Sequence, residues 1–486
     1  PFQAQLLVDR GDALLEKGEQ QAALRQYLLV VDNHGESSIA PQALYNATFA
    51  LLDLKQYDEA MVRATAFVEK YKASSLLPDV RYLLGESQLQ QDKIADAEAT
   101  FRKLIEEHSG HSQHSKWQLR LASILYLQKK YEPTVSFVGG ILEKLTIPQD
   151  QGQAHFLAGS AHFFLDQFPQ ASTSLTASLK ASPKGPQAAE ALLYLSRAQF
   201  KQQQLTESQA TLQRLLAEFP KGRFQGQAYF RLGEGYDSQK KPAEALKHYD
   251  LLLASAPESS YVPYALYNKG YNLLTLDKID EASTIFDKLV KQFPEHDILK
   301  AAVAAQADTG YRRGRGQLDD KKYAEAIATL QGLLKKHPNF ARLDTALYDL
   351  AWAFLGAGKQ AEAVEIFVRI TKEHQQGSYV ADAYYRIGED QYKSGEFGEA
   401  LASYNLALGS KPAAEIREVV LHKTGWAHFK LDDVNKALEI FQAQVNKYGE
   451  GVFASDGRFM LAECQFKLGK WEAALALYQP LAGAKL

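Results

Sequence analysis

The side chains of this 486-residue chain that are best suited to binding chemistry are aromatic and basic, and they are densest between residues 264 and 426. Tyrosine, tryptophan and arginine supply much of the binding energy in protein interfaces. We therefore predict a surface that binds an extended peptide or a helix of a protein partner. The candidate partner-binding residues are Tyr264, Tyr267, Tyr271, Tyr311, Arg312, Arg315, Tyr348, Trp352, Tyr385, Arg386 and Trp426.

A second interpretation of the same tyrosines is structural, since a periodic aromatic stripe often belongs to a helix core. Trp352, Trp426 and Arg315 interrupt the periodic pattern, so we favour them as binding residues. The basic run 312–315 could bind phosphate or an acidic partner. Because Asp319 and Asp320 follow it closely, a solvated or groove-lining face is favoured over an anion site.

Enzyme motifs are absent from the sequence. It contains no phosphate-binding glycine loop, no HExxH and no GxSxG pattern. His108, His111 and His114 recur every third residue, a spacing that could hold a transition metal, but glycine and serine break the segment and no carboxylate completes a ligand set. We therefore predict that the protein is not an enzyme and uses neither a cofactor nor a metal.

Composition narrows the classes of partner. The net charge is −3, with 55 basic and 58 acidic residues, which argues against a nucleic-acid-binding protein. The mean hydropathy is −0.32 and no apolar run reaches the length of a membrane span. Cys464 is the single cysteine, so an intrachain disulfide is impossible.

These residues are positioned by a repeat of 37 residues. A small side chain, here called the rung, recurs at that interval, except for one interval of 44 residues before Ala326. The rungs are Ala23, Ala60, Ala97, Thr134, Ala171, Ser208, Ala245, Ala282, Ala326, Ala363, Ala400, Ala437 and Ala474. A fixed period of this size indicates a solenoid whose units bury their apolar faces on their neighbours.

Two further positions keep the same register. A second small residue lies twelve positions before every rung, for example Gly85 and Gly388, and a bulky apolar residue lies four positions after nearly all of them, for example Phe101 and Tyr404. Apolar spacings of three and four predict two amphipathic helices in each unit. We expect the two small residues to let the helices approach closely and the bulky one to fill the space beside them.

This pattern, with proline at the end of many units, resembles the tetratricopeptide (TPR) repeat, as in the segment 384–412. The resemblance implies an all-α, right-handed superhelical solenoid of about thirteen helix-turn-helix units, with binding on the concave wall formed by the first helices. The common TPR unit has 34 residues. The longer unit and segments such as residues 218–234 resemble bacterial envelope TPR proteins, namely the lipoprotein of outer-membrane β-barrel assembly and the periplasmic protein that works with Tol-Pal.

The resemblance implies a scaffold in a bacterial cell-envelope assembly, periplasmic or associated with the outer membrane. A cytoplasmic location stays open, because some cytoplasmic bacterial TPR proteins share the long unit. Two other functions also stay open, a TPR subunit of exopolysaccharide export and the regulatory region of a longer enzyme. Each of these interpretations expects protein partners rather than nucleic acid.

The interval of 44 residues predicts a seven-residue extension at the N-terminal end of one helix, within residues 296–318. We place a domain boundary there, with TPR units 1–8 in residues 1–294 and units 9–13 in residues 295–486. The extension could be a hinge, a docking ledge or a neutral insertion.

Both ends of the sequence lack an obvious polar cap over the terminal apolar face. We therefore expect either that neighbouring segments were removed or that one end packs on another chain. Because the sequence starts at Pro1 rather than Met, removal of a signal peptide or a lipid anchor also stays open. Sedimentation at high concentration would test self-association.

Overall fold

The computed structural model describes residues 2–482. Within this range it contains twenty-six α-helices and one short 3-10 turn, with no β-strand. Successive helices pair into thirteen units, so the predicted all-α repeat solenoid is confirmed. None of the helices in 2–482 is both long and apolar enough to cross a membrane.

The helices are numbered in chain order. The first helices of the units are α1 (Phe2–Glu16), α3 (Ala40–Asp53), α5 (Leu77–Gln90), α7 (His114–Leu127), α9 (Pro148–Phe164), α11 (Ala188–Lys201), α13 (Gln225–Ser238), α15 (Val262–Thr275), α17 (Leu299–Asp319), α19 (Leu343–Gly356), α21 (Val380–Lys393), α23 (Ala414–Lys430) and α25 (Ala454–Lys467). The second helices are α2 (Gln20–Asn33), α4 (Tyr57–Lys70), α6 (Ile94–Glu107), α8 (Tyr131–Ile141), α10 (Phe168–Ala181), α12 (Leu205–Glu218), α14 (Pro242–Ser255), α16 (Ile279–Gln292), α18 (Tyr323–Lys336), α20 (Gln360–Glu373), α22 (Phe397–Gly409), α24 (Val434–Lys447) and α26 (Trp471–Ala482).

In most units the small residue of the first helix makes room for the bulky residue of the second. A Cβ added to Gly85 would lie 2.5 Å from the Phe101 ring, and one added to Gly388 would lie 2.5 Å from the Tyr404 ring. Both rings are fully buried. The packing predicted from the sequence is confirmed in these two units, where the bulky ring packs directly against the backbone of the glycine.

The turn inside each unit places one residue in the left-handed region, five positions before the rung, with φ between 56° and 82°. Four units use glycine there and the others use Lys, Asp or Gln, as in Lys55, Asp92 and Gln203. A side chain at positive φ strains the backbone, whereas glycine does not. The polar stretch between the two helices therefore ends the first helix with one residue in the left-handed backbone conformation.

Glycine in place of Gln203, whose φ is 64°, should raise the free energy of unfolding by about 1 kcal/mol, because glycine relieves the left-handed strain. The measurement is urea unfolding followed by circular dichroism. The control is Gly358→Ala at the equivalent turn, where φ is 73° and the same argument requires a loss of stability. A loss of stability in the Gln203 variant would contradict this explanation of the turn.

The predicted extension is present. Helix α17 has 21 residues, whereas α19 has 14. The two helices end at the same position relative to their rungs, so the seven additional residues lie at the N-terminal end of α17.

Contacts divide the chain into two compact units, Pro1–Val262 and Pro263–Leu486, called the N-unit and the C-unit below. The core of the N-unit includes a cluster around Phe156, Leu175 and Leu192, and that of the C-unit a cluster around Leu347, Phe367 and Ile370. The functional domain boundary near residue 295 stays a prediction.

Candidate functional site

The candidate residues lie on first helices of the C-unit, which contact one another directly, as α17 does with α19 and α21 with α23. The surface formed by the first helices is called the A face below. Its side chains were expected to be available to a partner. The structure shows that many of them also join one repeat to the next.

Asp349 of α19 is the centre of the strongest of these connections. Its carboxylate accepts hydrogen bonds from the Tyr311 hydroxyl at 2.8 Å and from Arg315 Nη1 at 2.6 Å, both on α17. Asp349 is 1% exposed. Burial raises the pKa of its carboxyl group, and Tyr311 and Arg315 oppose that shift. Burial and the same carboxylate raise the pKa of Tyr311 to about 12. Tyr311 therefore acts in packing between repeats.

The next connection repeats this arrangement between α19 and α21. The Tyr348 hydroxyl donates to Asp382 Oδ2 at 2.8 Å. The Tyr348 ring also stacks on Tyr379 with the centroids 4.2 Å apart. Tyr385, on α21, is buried and lies near the Tyr404 ring. Tyr348 and Tyr385 thus match the structural interpretation of the periodic tyrosines.

Trp426 on α23 is also held within the fold. Its indole N–H donates to Asp456 Oδ2 at 3.1 Å, and Asp456 lies 2.7 Å from His422 Nε2. His422 is buried, stacks on Phe453 and has its pKa lowered by burial. The ring of Trp426 is half-buried, and its polar atom already has a partner.

The tyrosines of α15 form a separate group. The Tyr264 hydroxyl donates to Asp297 at 3.0 Å, and the rings of Tyr267 and Tyr271 lie 4.9 Å apart. Tyr271 is 43% exposed. Burial of its hydroxyl and a hydrogen bond with Tyr267 raise the pKa of Tyr271 to about 12. Tyr271 is the tyrosine of this group that is most accessible to a partner.

The basic run on α17 is largely neutralised within the C-unit. Arg312 Nε lies 2.7 Å from Asp308 Oδ2, and Asp308 also pairs with Arg342, which directly precedes α19. Arg313 pairs with Asp280 at 3.0 Å. These pairs favour the solvated or groove-lining interpretation of the run over a free anion site.

An open groove of about 600 Å³ brings together Arg315, Tyr348 and Trp352, three of the candidate residues. Leu318, Tyr323 and Leu355 add apolar surface. Trp352 is half-buried and its ring lies 4.8 Å from the Arg386 guanidinium, while the Arg315 side chain remains 49% exposed. The groove is the place on this A face where an indole, a guanidinium and apolar side chains are all accessible together.

Sequence reasoning missed the acidic partners Asp349 and Asp382 on this face and the basic residues Arg342 and Lys423. It placed Glu389 on the face but did not predict its ion pair. Lys423 Nζ lies 2.9 Å from Glu389 Oε2. A signal for these residues exists in the sequence. The paired residues are 34 positions apart, one repeat less about one helical turn, as in Arg315–Asp349 and Tyr348–Asp382.

No set of three His, Cys, Asp or Glu side chains converges on a possible metal position in residues 2–482. The predicted absence of a cofactor and of catalysis stays a prediction.

Three family models, each described as Tetratricopeptide repeat, match this chain. One matches residues 82–132, 156–223, 197–260 and 422–485, the second 317–387 and the third 264–296. Together the matched segments cover more than half of the chain. No curated protein sequence matches it.

Several solved structures are similar to this chain. The C-terminal part of a TPR repeat-containing protein from Cytophaga hutchinsonii is 13% identical, with a TM-score of 0.44, over 54% of this chain and 98% of that chain. A TPR protein from Parabacteroides merdae is 20% identical, with a TM-score of 0.31, over 56% and 98%. YrrB, described as a TPR protein with an unusual peptide-binding site, is 20% identical, with a TM-score of 0.34, over 42% and 96%. With thirteen helix pairs and three matching repeat models, this chain belongs to the tetratricopeptide-repeat family.

Proposed function

We propose that this chain is a non-catalytic scaffold for protein–protein interaction, and that it binds a peptide or helix of a partner on the A face of the C-unit. The observation that carries the proposal is the groove lined by Arg315, Tyr348 and Trp352. Tryptophan and arginine are the side chains most enriched among binding hot spots.

The groove is suited to an apolar anchor. Trp352 is held between the Tyr348 ring, 6.2 Å away, and the Arg386 guanidinium. An indole fixed in this way presents a rigid apolar surface. Binding would therefore cost little side-chain conformational entropy at Trp352. Leu318 and Leu355 extend the apolar surface beside it. A leucine, phenylalanine or similar side chain of a partner segment would fit there.

The charges of the groove select against a strongly charged ligand. Arg315 and Lys321 are offset by Asp319 and Asp349, so the lining is close to neutral. Arg315 Nη1 donates to Asp349 and its Nε donates to Asp319 at 3.3 Å. The side chain is half-exposed, so its remaining N–H donors can reach a backbone carbonyl or an acidic side chain of the ligand. The groove therefore favours an apolar anchor flanked by a hydrogen-bond acceptor.

The cellular setting proposed is a bacterial cell-envelope assembly, periplasmic or associated with the outer membrane. Its support is the unit of 37 residues and the turn sequences that resemble envelope TPR proteins. A cytoplasmic location, a role in exopolysaccharide export and a regulatory region of a longer enzyme remain the alternatives.

The binding proposal is tested by selecting peptides from a random displayed library on the full chain and measuring their affinity by fluorescence anisotropy. Trp352→Ala should weaken binding by roughly tenfold or more, since a buried aromatic anchor contributes about 2 kcal/mol. The matched control is Trp471→Ala on α26, an exposed tryptophan away from the A face, which should leave affinity unchanged.

Circular dichroism confirms that both variants remain folded. The proposal is wrong if the selected peptides bind both variants and the original chain equally, or if the loss occurs only with Trp471→Ala.

A further inference from the structure

A second cavity lies on the A face of the N-unit, independent of the function proposed above. It encloses about 350 Å³ between α9, α11 and α13. Its lining includes the two phenylalanines Phe163 and Phe200. It also includes four charged side chains, which are Arg197, Lys201, Arg231 and Glu234. Three cations therefore share this space with one carboxylate.

Arg197 is the unusual member of this set. Its guanidinium carbon lies 4.6 Å from the Phe163 ring and 5.5 Å from the Tyr194 ring, so aromatic faces hold it in place. Among the residues described in 2–482, no carboxylate oxygen lies within the 4.0 Å of an ion pair with Arg197. Burial and the nearby charge of Arg231 lower the pKa of this guanidinium.

The other A-face arginines show what Arg197 lacks. Arg120 on α7 donates to both oxygens of Glu86, at 2.7 and 2.6 Å. Arg315 donates to Asp349 in the C-unit. Both follow the 34-residue pairing of this fold, with a carboxylate supplied by the neighbouring first helix. Arg197 lies on the same face and contacts two aromatic rings, but no carboxylate of a neighbouring first helix pairs with it.

Arg231 also has an N–H group available to donate a hydrogen bond to a ligand. One of its terminal nitrogens lies 2.5 Å from Glu234 Oε2, while its buried Nε has no hydrogen-bond partner. Burial raises the pKa of the Glu234 carboxyl, against the opposing effect of Arg231. Lys201 at the edge of the cavity adds a further cation. The cavity thus holds an excess of about two positive charges when Glu234 is ionised.

We propose that this cavity binds a carboxylate carried on an aromatic or aliphatic group. Two guanidinium groups match the planar geometry of a carboxylate. Phe163 and Phe200 provide the surface for the apolar part of the ligand. The apolar part of the lining favours an anion attached to an apolar group over inorganic phosphate, which has no apolar part. The carboxylate would come from a small organic acid or from a Glu or Asp side chain of a partner.

The test uses 4-fluorobenzoate and the full chain, with binding measured from ¹⁹F NMR line broadening. The amide 4-fluorobenzamide has the same ring without the charge and should bind at least about tenfold more weakly. Arg197→Gln should weaken benzoate binding by a similar factor. Arg120→Gln is the matched control, because Arg120 is already paired with Glu86, and it should leave the affinity unchanged.

The variant Glu234→Gln should strengthen binding of the probe, whereas a loss of folding would weaken it. Removing this carboxylate frees Arg231 and raises the positive charge, so 4-fluorobenzoate should bind several-fold more tightly. Competition identifies the source of the ligand. Displacement by acetyl-Phe-Glu-amide supports a partner side chain, and displacement by free benzoate alone supports a small acid.

Equal broadening of benzoate and benzamide would overturn the proposal. So would unchanged benzoate binding in folded Arg197→Gln together with no gain in Glu234→Gln. Inorganic phosphate that displaces the probe at the same concentration as benzoate would overturn the assignment to an apolar carboxylate.

Discussion

Replacing Gly85 with alanine should lower the free energy of unfolding by about 2 kcal/mol, even though alanine is the better helix former by about 1 kcal/mol. The new Cβ would lie 2.5 Å from Phe101 Cε2, and the Phe101 ring is fully buried. Because the ring has no free space, the two helices must separate. Urea unfolding followed by circular dichroism measures the loss.

The adjacent unit suggests how to rescue this variant. Its corresponding residues are Ala122 and Val138, a larger residue on the first helix facing a smaller one on the second. Gly85→Ala combined with Phe101→Val should therefore lose less stability than the sum of the two single changes. Gly332→Ala on α18 is the control, because its Cβ meets no atom within 4 Å and the change should stabilise. Additive losses in the double variant would contradict the interlocked packing.

Removing the Asp349 side chain should lower the free energy of unfolding by about 2 to 3 kcal/mol. Asp349→Ala leaves the buried Tyr311 hydroxyl without its acceptor and Arg315 without its main counter-charge. The loss of a buried partner costs more than the pair itself contributes. Arg315 is half-exposed, so water offsets part of its loss and the expected effect stays below that of a fully buried pair.

Two variants separate the contributions of charge and hydrogen bonding at this position. Tyr311→Phe should cost about 1 kcal/mol, since the ring packing stays and one hydrogen bond is lost. In the background of Asp349→Ala, the same change should be close to neutral or stabilising, because the hydroxyl no longer has an acceptor. Equal costs of Tyr311→Phe in both backgrounds would show that the hydrogen bond contributes nothing to coupling between α17 and α19.

Much of the fold could be predicted from the sequence because the same constraint acts in every unit. Gly85 and Phe101 hold corresponding positions to Gly388 and Tyr404, so the register of one unit predicts that of the others. The interval of 44 residues likewise predicted the longer α17, and the polar turns predicted where each first helix ends. The sequence period could be used in this way because the packing of helix backbones is the same from one unit to the next.

The candidate site could be predicted only in part, because exposure varies between units within the same register. Tyr267 and Tyr311 both lie fifteen positions before a rung, yet Tyr267 is half-buried and Tyr311 is 7% exposed. Asp349 makes the difference, since it draws the Tyr311 hydroxyl into the space between repeats. The 34-residue pairing identifies such acids, but only after the packing of first helices on one another is known.

The measurement that tests the central claim most directly is photo-crosslinking of a selected peptide to the full chain. The photoreactive amino acid p-benzoylphenylalanine would replace Lys321 at the edge of the groove, or Lys335, an exposed residue near the end of the second helix α18. We predict crosslinking from position 321 and none from position 335. Crosslinking from position 335 alone, or equally from both, would contradict binding on the A face.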